Sequence, residues 1–150
     1  MEIQIKGQGI DGSSANCLGP QLATLMESIK TKLGNVVWFV ADIDTVTGIP
    51  NWYSGGFGFM EAGDTETMIS LSQNVLQYLS GVFIALRPED AKHIDGLKAD
   101  TEDTVPYFLE RSVLEVRAFD QTFFLIGTHD SDLAQYLLKN FNGEISSRCQ

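Results

Sequence analysis

Polar and apolar residues along the chain follow two periods, and the changes of period mark the elements. Glu2-Ile3-Gln4-Ile5-Lys6 alternates, the pattern of a half-exposed strand. A loop rich in Gly and Ser follows, from Gly7 to Gly19. Pro20 suits a first helical turn. Leu22, Leu25, Met26, Ile29 and Leu33 then recur at helical spacing, with Gly34 as the stop. The run Val36-Val37-Trp38-Phe39-Val40 is apolar throughout. It predicts a strand over Asn35 to Asp42, buried on both faces and therefore central.

The stretch Gly48 to Gly63 reads as a long loop or a loose hairpin turning at Ser54-Gly55-Gly56. Asp64 or Thr65 caps a second helix, whose buried stripe is Met68, Leu71, Val75, Tyr78 and Leu79, with Gly81 ending it. Val82 to Leu86 is a further buried strand. Pro88 to Asp103 is polar and acidic, with one helical turn around Pro88 to Ile94. Val113 to Thr128 has the pattern of a hairpin turning near Asp120-Gln121. On it Leu114, Val116 and Ala118 face one way, Glu115 and Arg117 the other. Asp130 or Thr128 caps a last helix with Leu133, Tyr136, Leu137 and Phe141 inward and Gly143 as its C-cap.

No repeat or linker interrupts this order, so residues 1–150 read as one domain. A tight turn between successive strands makes them antiparallel. The fold class is therefore α+β: a mixed or largely antiparallel sheet with about three helices packed on it as a single pair of layers.

Composition narrows the class. With 43% hydrophobic and 20% charged residues the chain has a globular profile. A chain of this length buries roughly 70% of its unfolded surface. No apolar run reaches the 18 or so residues of a membrane span. The first residues lack the cationic and apolar segments of a secretion signal, so a cytoplasmic location is expected. Cys17 and Cys149 read as free thiols in a reducing compartment, although a bond between the termini is possible. Neither has zinc-site spacing.

Charge changes the picture more. The net charge is −10, and it is uneven. Residues 33–110 carry twelve acidic and three basic residues, while no Lys or Arg occurs between Lys32 and Arg87. Such a field repels nucleic acid and anionic membranes and attracts basic partners. Solubility alone is the competing explanation.

Four motifs bear on chemistry. Gly7-Gln8-Gly9-Ile10-Asp11-Gly12 matches a dinucleotide fingerprint, but the helix expected at Pro20 begins too late to offer its amides to a pyrophosphate, which leaves a glycine loop. Asp42 and Asp44, at the end of a buried strand, could hold a magnesium ion, one attacking a phosphoryl group. Val40-Ala41-Asp42-Ile43-Asp44-Thr45-Val46 resembles the first motif of the haloacid-dehalogenase phosphatases, and the resemblance implies Asp42 as nucleophile and Asp44 as general acid. The chain departs from that pattern further on, because Met68 stands where a second Asp is expected and no lysine lies at a predicted strand end. Cys17 with His93 or His129 is a conceivable nucleophile pair without a local signature. Last, Trp52, Tyr53, Phe57 and Phe59 lie among glycines. They either close one side of the core or form a binding surface. The acidic cluster Asp100, Glu102 and Asp103, with Glu89, Asp90 and Asp95 nearby, is either a solvated loop or a dock for Lys and Arg.

The segment from Ser112 through the Tyr136-Leu137-Leu138 helix resembles the closing hairpin and helix of small acidic bacterial toxin-immunity proteins. The resemblance covers about a quarter of the chain and carries no invariant residue. It implies a compact, non-catalytic protein that blocks a cognate toxin. The expectation is thus a binding protein without cofactor or metal. Its partner is basic, and Asp42, Asp44, Trp52, Tyr53, Phe57, Phe59, Asp100, Glu102 and Asp103 supply the contact. Two alternatives stand beside it: a magnesium-dependent phosphotransfer enzyme built on Asp42 and Asp44, and a small-ligand binding domain with the aromatic loop as lid.

Overall fold

The structure, a computed structural model, describes residues 1–46, 56–102 and 110–146. The strands are β1 (Glu2–Ile5), β2 (Val37–Thr45), β3 (Met60–Gly63), β4 (Tyr78–Leu86), β5 (Ser112–Phe119), β6 (Phe123–Gly127) and β7 (Glu144–Ile145). The helices are α1 (Gly7–Asp11), α2 (Gly19–Leu33), α3 (Thr65–Gln73) and α4 (Ser131–Asn140), and a 3-10 helix spans Pro88–Ile94. The seven strands form one sheet in the order β3-β2-β4-β5-β6-β1-β7, and every pairing is antiparallel. The α+β class follows from the sequence, but five helical segments occur among the described residues rather than about three. None of the helices is long and apolar enough to cross a membrane.

One face of the sheet carries the helices. Leu22, Leu25, Met26, Ile29 and Leu33 of α2, Met68 and Ile69 of α3, and Leu133 and Leu137 of α4 pack on Ile3, Ile5, Trp38, Val40, Phe83, Leu114, Val116, Phe124 and Ile126. Polar tips inside this core are matched: Trp38 Nε1 donates to Thr65 Oγ1 at 3.0 Å, and the hydroxyls of Ser72 and Tyr78 lie 2.9 Å apart. The opposite face of β2 and β4 holds a second cluster of Phe39, Ala41, Val82, Ile84 and Leu86. Ile94 and Ala99, from the segment after β4, cover it.

Several expectations are corrected. The helical stripe beginning at Met68 does not run to Leu79; α3 stops at Gln73, and Tyr78 starts a nine-residue strand. Pairing of β4 with both β2 and β5 outweighs the local 3.6-residue period of Val75, Tyr78 and Leu79. Gly81 lies inside that strand, where a Cβ would come within 2.9 Å of the Phe83 ring, so it stops no helix. The strand β1 is inserted between β6 and β7, which buries Glu2 as well as Ile3 and Ile5; it is not half-exposed. The strand β2 is buried on both faces as its apolar run requires, yet it is second from the edge. Asp64 caps α3 and Asp130 caps α4, each carboxylate accepting helix N–H groups. The last helix ends at Asn140 with Phe141 as its C-cap, so Gly143 is two residues too late for that role.

Candidate functional site

The site starts from an irregularity in β2. Its register with β4 runs Ala41↔Val82 and then Asp44↔Ser80, so β2 holds one residue more than β4 across that interval. The extra residue makes a bulge. Asp42 adopts φ 52°, the left-handed region, where a short polar side chain is among the few tolerated. The bulge turns Asp42 out of the ladder. Its N–H donates to Gly56 O at 2.7 Å, its carbonyl accepts from Ser80 Oγ at 2.7 Å, and its Oδ2 accepts from Thr101 N at 2.8 Å.

Two further segments meet there. Ala99 N donates to Phe57 O at 2.8 Å, and Gly58 bridges Lys98 in antiparallel fashion. These bonds lay residues 97–102 across the second face. At the same end of the sheet β5 turns into β6. Asp120 and Gln121 both take positive φ in that turn, the twist suited to a tight hairpin. The flanking rings of Phe119 and Phe123 stack at 5.4 Å, nearly parallel.

Between these segments lies a cleft of about 200 Å³, lined by Asp42, Phe57, Leu79, Ser80, Asp100, Thr101, Glu102, Phe119 and Asp120. Four carboxylates from three separate stretches thus surround apolar surface, and among the described residues no Lys or Arg lines the cleft. Phe57 is 49% exposed, a large aromatic side chain left accessible at the rim.

Of the residues expected from sequence, Asp42, Phe57, Asp100 and Glu102 come together here. Asp44 lies past the bulge, exposed and outside the lining, so the Asp42/Asp44 pair does not share the cleft. Phe59 packs against the second core cluster, which is the closing role weighed for the aromatic stretch. Trp52, Tyr53 and Asp103 lie outside the described residues. Sequence reasoning missed Leu79, Ser80, Thr101, Phe119 and Asp120. Leu79 was hidden by its helical spacing, and Asp120 read only as a turn. The Phe-Asp-Gln-Thr-Phe string did place an acid between two aromatic residues, but only the strand order brings it beside Asp42.

The other motifs have structural explanations. A Cβ on Gly7 would sit 2.0 Å from Ala15 O, and one on Gly9 would sit 2.0 Å from Phe141 O, so both glycines serve close backbone approach around the short helix α1. Cys17 is fully buried, and its thiol donates to Phe123 O at 3.2 Å. Burial pushes its pKa up to about 12, which keeps it protonated and unreactive at neutral pH. Among the described residues no group of three or more His, Cys, Asp and Glu side chains is arranged to hold a metal ion.

No family model matches the chain, and no curated protein or solved structure matches it.

Proposed function

We propose that the chain is a non-catalytic binding protein that captures a basic protein partner by seating an Arg or Lys side chain in the acid-rimmed cleft. The observation that carries this reading is the convergence of Asp42, Asp100, Glu102 and Asp120 on a pocket with Phe57, Leu79 and Phe119 in its lining. A guanidinium or ammonium group entering it meets carboxylates and aromatic surface in one lining, the combination that favours ion pairing together with cation–π contact.

Size argues in the same direction. Small-molecule sites typically enclose roughly 300–1,000 Å³. A cleft of about 200 Å³ suits one side chain better than a metabolite. The phosphotransfer reading has less support, because Asp44 is outside the cleft and Asp42 is engaged by Thr101 N. The acidic excess over residues 33–110 attracts a basic partner to the chain, and the cleft carboxylates give it a place to dock. In its most concrete form, drawn from the resemblance of the C-terminal hairpin and helix, the partner is a basic bacterial toxin and the chain occludes its active surface.

The test is binding of an arginine-rich peptide, with a glutamate-rich peptide as control, followed by stopped-flow fluorescence at low and at physiological salt. Joint replacement Asp100→Lys, Glu102→Lys and Asp120→Lys is expected to slow association about tenfold or more at low salt and to flatten its salt dependence. Association that is unaltered by the triple replacement would overturn the assignment of the cleft. Magnesium-dependent hydrolysis of a phosphomonoester, abolished by Asp42→Asn, would overturn the non-catalytic reading.

A further inference from the structure

We infer that Thr101 is the positioning residue that fastens residues 97–102 to the sheet and so forms the cleft; its effect on binding rests on the reading proposed above. The reasoning starts from backbone accounting. An inner strand of an antiparallel sheet finds partners for its N–H groups in its two neighbours, and a buried N–H left without one is costly. The bulge at Asp42 breaks the ladder between Ala41 and Asp44, directly opposite Gly81 of β4. Gly81 N does not go unpaired: it donates to Thr101 Oγ1 at 3.0 Å, a fully buried bond. A side chain from a separate segment thus supplies the acceptor that the bulged strand withholds.

Thr101 makes a second bond in the same place. Its own N–H donates to Asp42 Oδ2 at 2.8 Å. One residue, only 2% exposed, therefore ties the crossing segment to β4 through its hydroxyl and to β2 through its amide. Its neighbours on either side point to the cleft. Asp100 and Glu102 line it, and Asp100 Oδ1 accepts from Glu102 N at 2.9 Å. When Thr101 points inward, the two acids are carried outward beside Asp42 and Asp120. The anchor and the acidic rim are alternate residues of one short stretch, so loss of the first displaces the second. The bulge has a second consequence: by leaving Gly81 to be satisfied from outside the sheet, it dictates where the acidic segment crosses.

The experiment compares Thr101→Val, which keeps the shape but removes the hydroxyl, with Thr101→Ser, which keeps the hydroxyl. Two quantities are read: hydrogen-exchange protection of the Gly81 amide, and the Kd for the arginine-rich peptide. Neither replacement alters net charge. Thr101→Val is expected to lower Gly81 protection about tenfold or more and to weaken peptide binding about tenfold, while Thr101→Ser stays near wild type in both. Amides of β5 and β6 should keep wild-type protection, which separates a local release from general destabilisation. Should Thr101→Val fail to fold, Thr101→Ala removes the same hydroxyl with less crowding and carries the same expectation. Unchanged Gly81 protection in the variant lacking the hydroxyl would overturn the fastening. Lowered protection with unchanged peptide affinity would overturn the positioning role. If the wild-type protein binds no such peptide, the binding reading has failed on its own, and the fastening still stands or falls on the Gly81 amide.

Discussion

Glu115 and Arg117 lie two residues apart on β5, and their side chains form an ion pair of 2.8 Å on the sheet face opposite the main helices, with 3% and 1% of the side chains exposed. Arg117 Nε also donates to Glu115 Oε1 at 2.9 Å. Residues i and i+2 of a strand share a face, so the hydrophobic alternation of β5 requires this placement. The burial is less obvious, because two charges taken from water are tolerated only when paired. Arg117→Met is expected to cost about 3–5 kcal/mol, since it takes the guanidinium away from a buried carboxylate. The double replacement Glu115→Leu/Arg117→Met should recover most of that loss. Urea titrations of the three proteins check it; a double variant no more stable than Arg117→Met would show that the pair contributes through more than mutual compensation.

Cys17 predicts an alkaline weakness. Burial raises its thiol from the ordinary 9.0 to about 12. In the unfolded chain the thiol ionises near its ordinary value, whereas in the folded chain it keeps its proton. The unfolded state therefore binds fewer protons between about pH 9 and 12, and stability falls as pH rises through that window. Below it the contribution is fully present. Replacement Cys17→Ala should flatten the decline by up to about 1.4 kcal/mol per pH unit. Parallel stability–pH curves for the two proteins would assign the decline elsewhere; Tyr78, also pushed up by burial, is unchanged in both.

Two glycines should behave differently when given a methyl group. A Cβ on Gly19, at the start of α2, would lie 2.1 Å from both Ser72 O and Val75 O, and neither is a side chain that can swing away. Gly19→Ala is expected to cost roughly 3 kcal/mol or more. Gly12 has φ +78°, and a Cβ there would meet no non-adjacent atom of the described residues within 4 Å, so Gly12→Ala meets only the left-handed backbone penalty, about 1–2 kcal/mol. Denaturation midpoints at unchanged m-value order the pair, and a Gly19→Ala protein as stable as Gly12→Ala would contradict the packing of α2 against the end of α3.

The cap of α4 makes a further distinction. Asp130 Oδ1 accepts from Asp132 N at 3.0 Å and from Leu133 N at 3.1 Å. Thr128 instead receives Asp130 N and donates to Val113 O. Asp130→Ala should cost about 1 kcal/mol, with Asp130→Ser recovering much of it. Thermal unfolding of the two proteins measures this; equal losses would mean that the Asp130 side chain does not act as a cap.

Local regularities were legible without the structure. The spacing of Leu22, Leu25, Met26, Ile29 and Leu33 and the stop at Gly34 define α2 because helix formation depends on neighbours three and four residues away. The hairpin around Asp120-Gln121 is equally local, as are the alternation of β5 and the turn at Pro88. Where a local period competed with a distant partner, the sequence misled. Tyr78 and Leu79 continue a helical stripe and are nevertheless strand, because β4 gains ladders on both sides. Composition and charge determined that residues 33–110 are acidic. Tertiary structure alone decided which acids line one cleft. Asp42, Asp100 and Asp120 are far apart in the chain; they meet because the strand order sets β2, β4 and β5 side by side, and because one extra residue in β2 leaves Gly81 to be satisfied by Thr101. No pattern of neighbours encodes that meeting, since it depends on an N–H that the formed sheet leaves to be satisfied from outside its ladder.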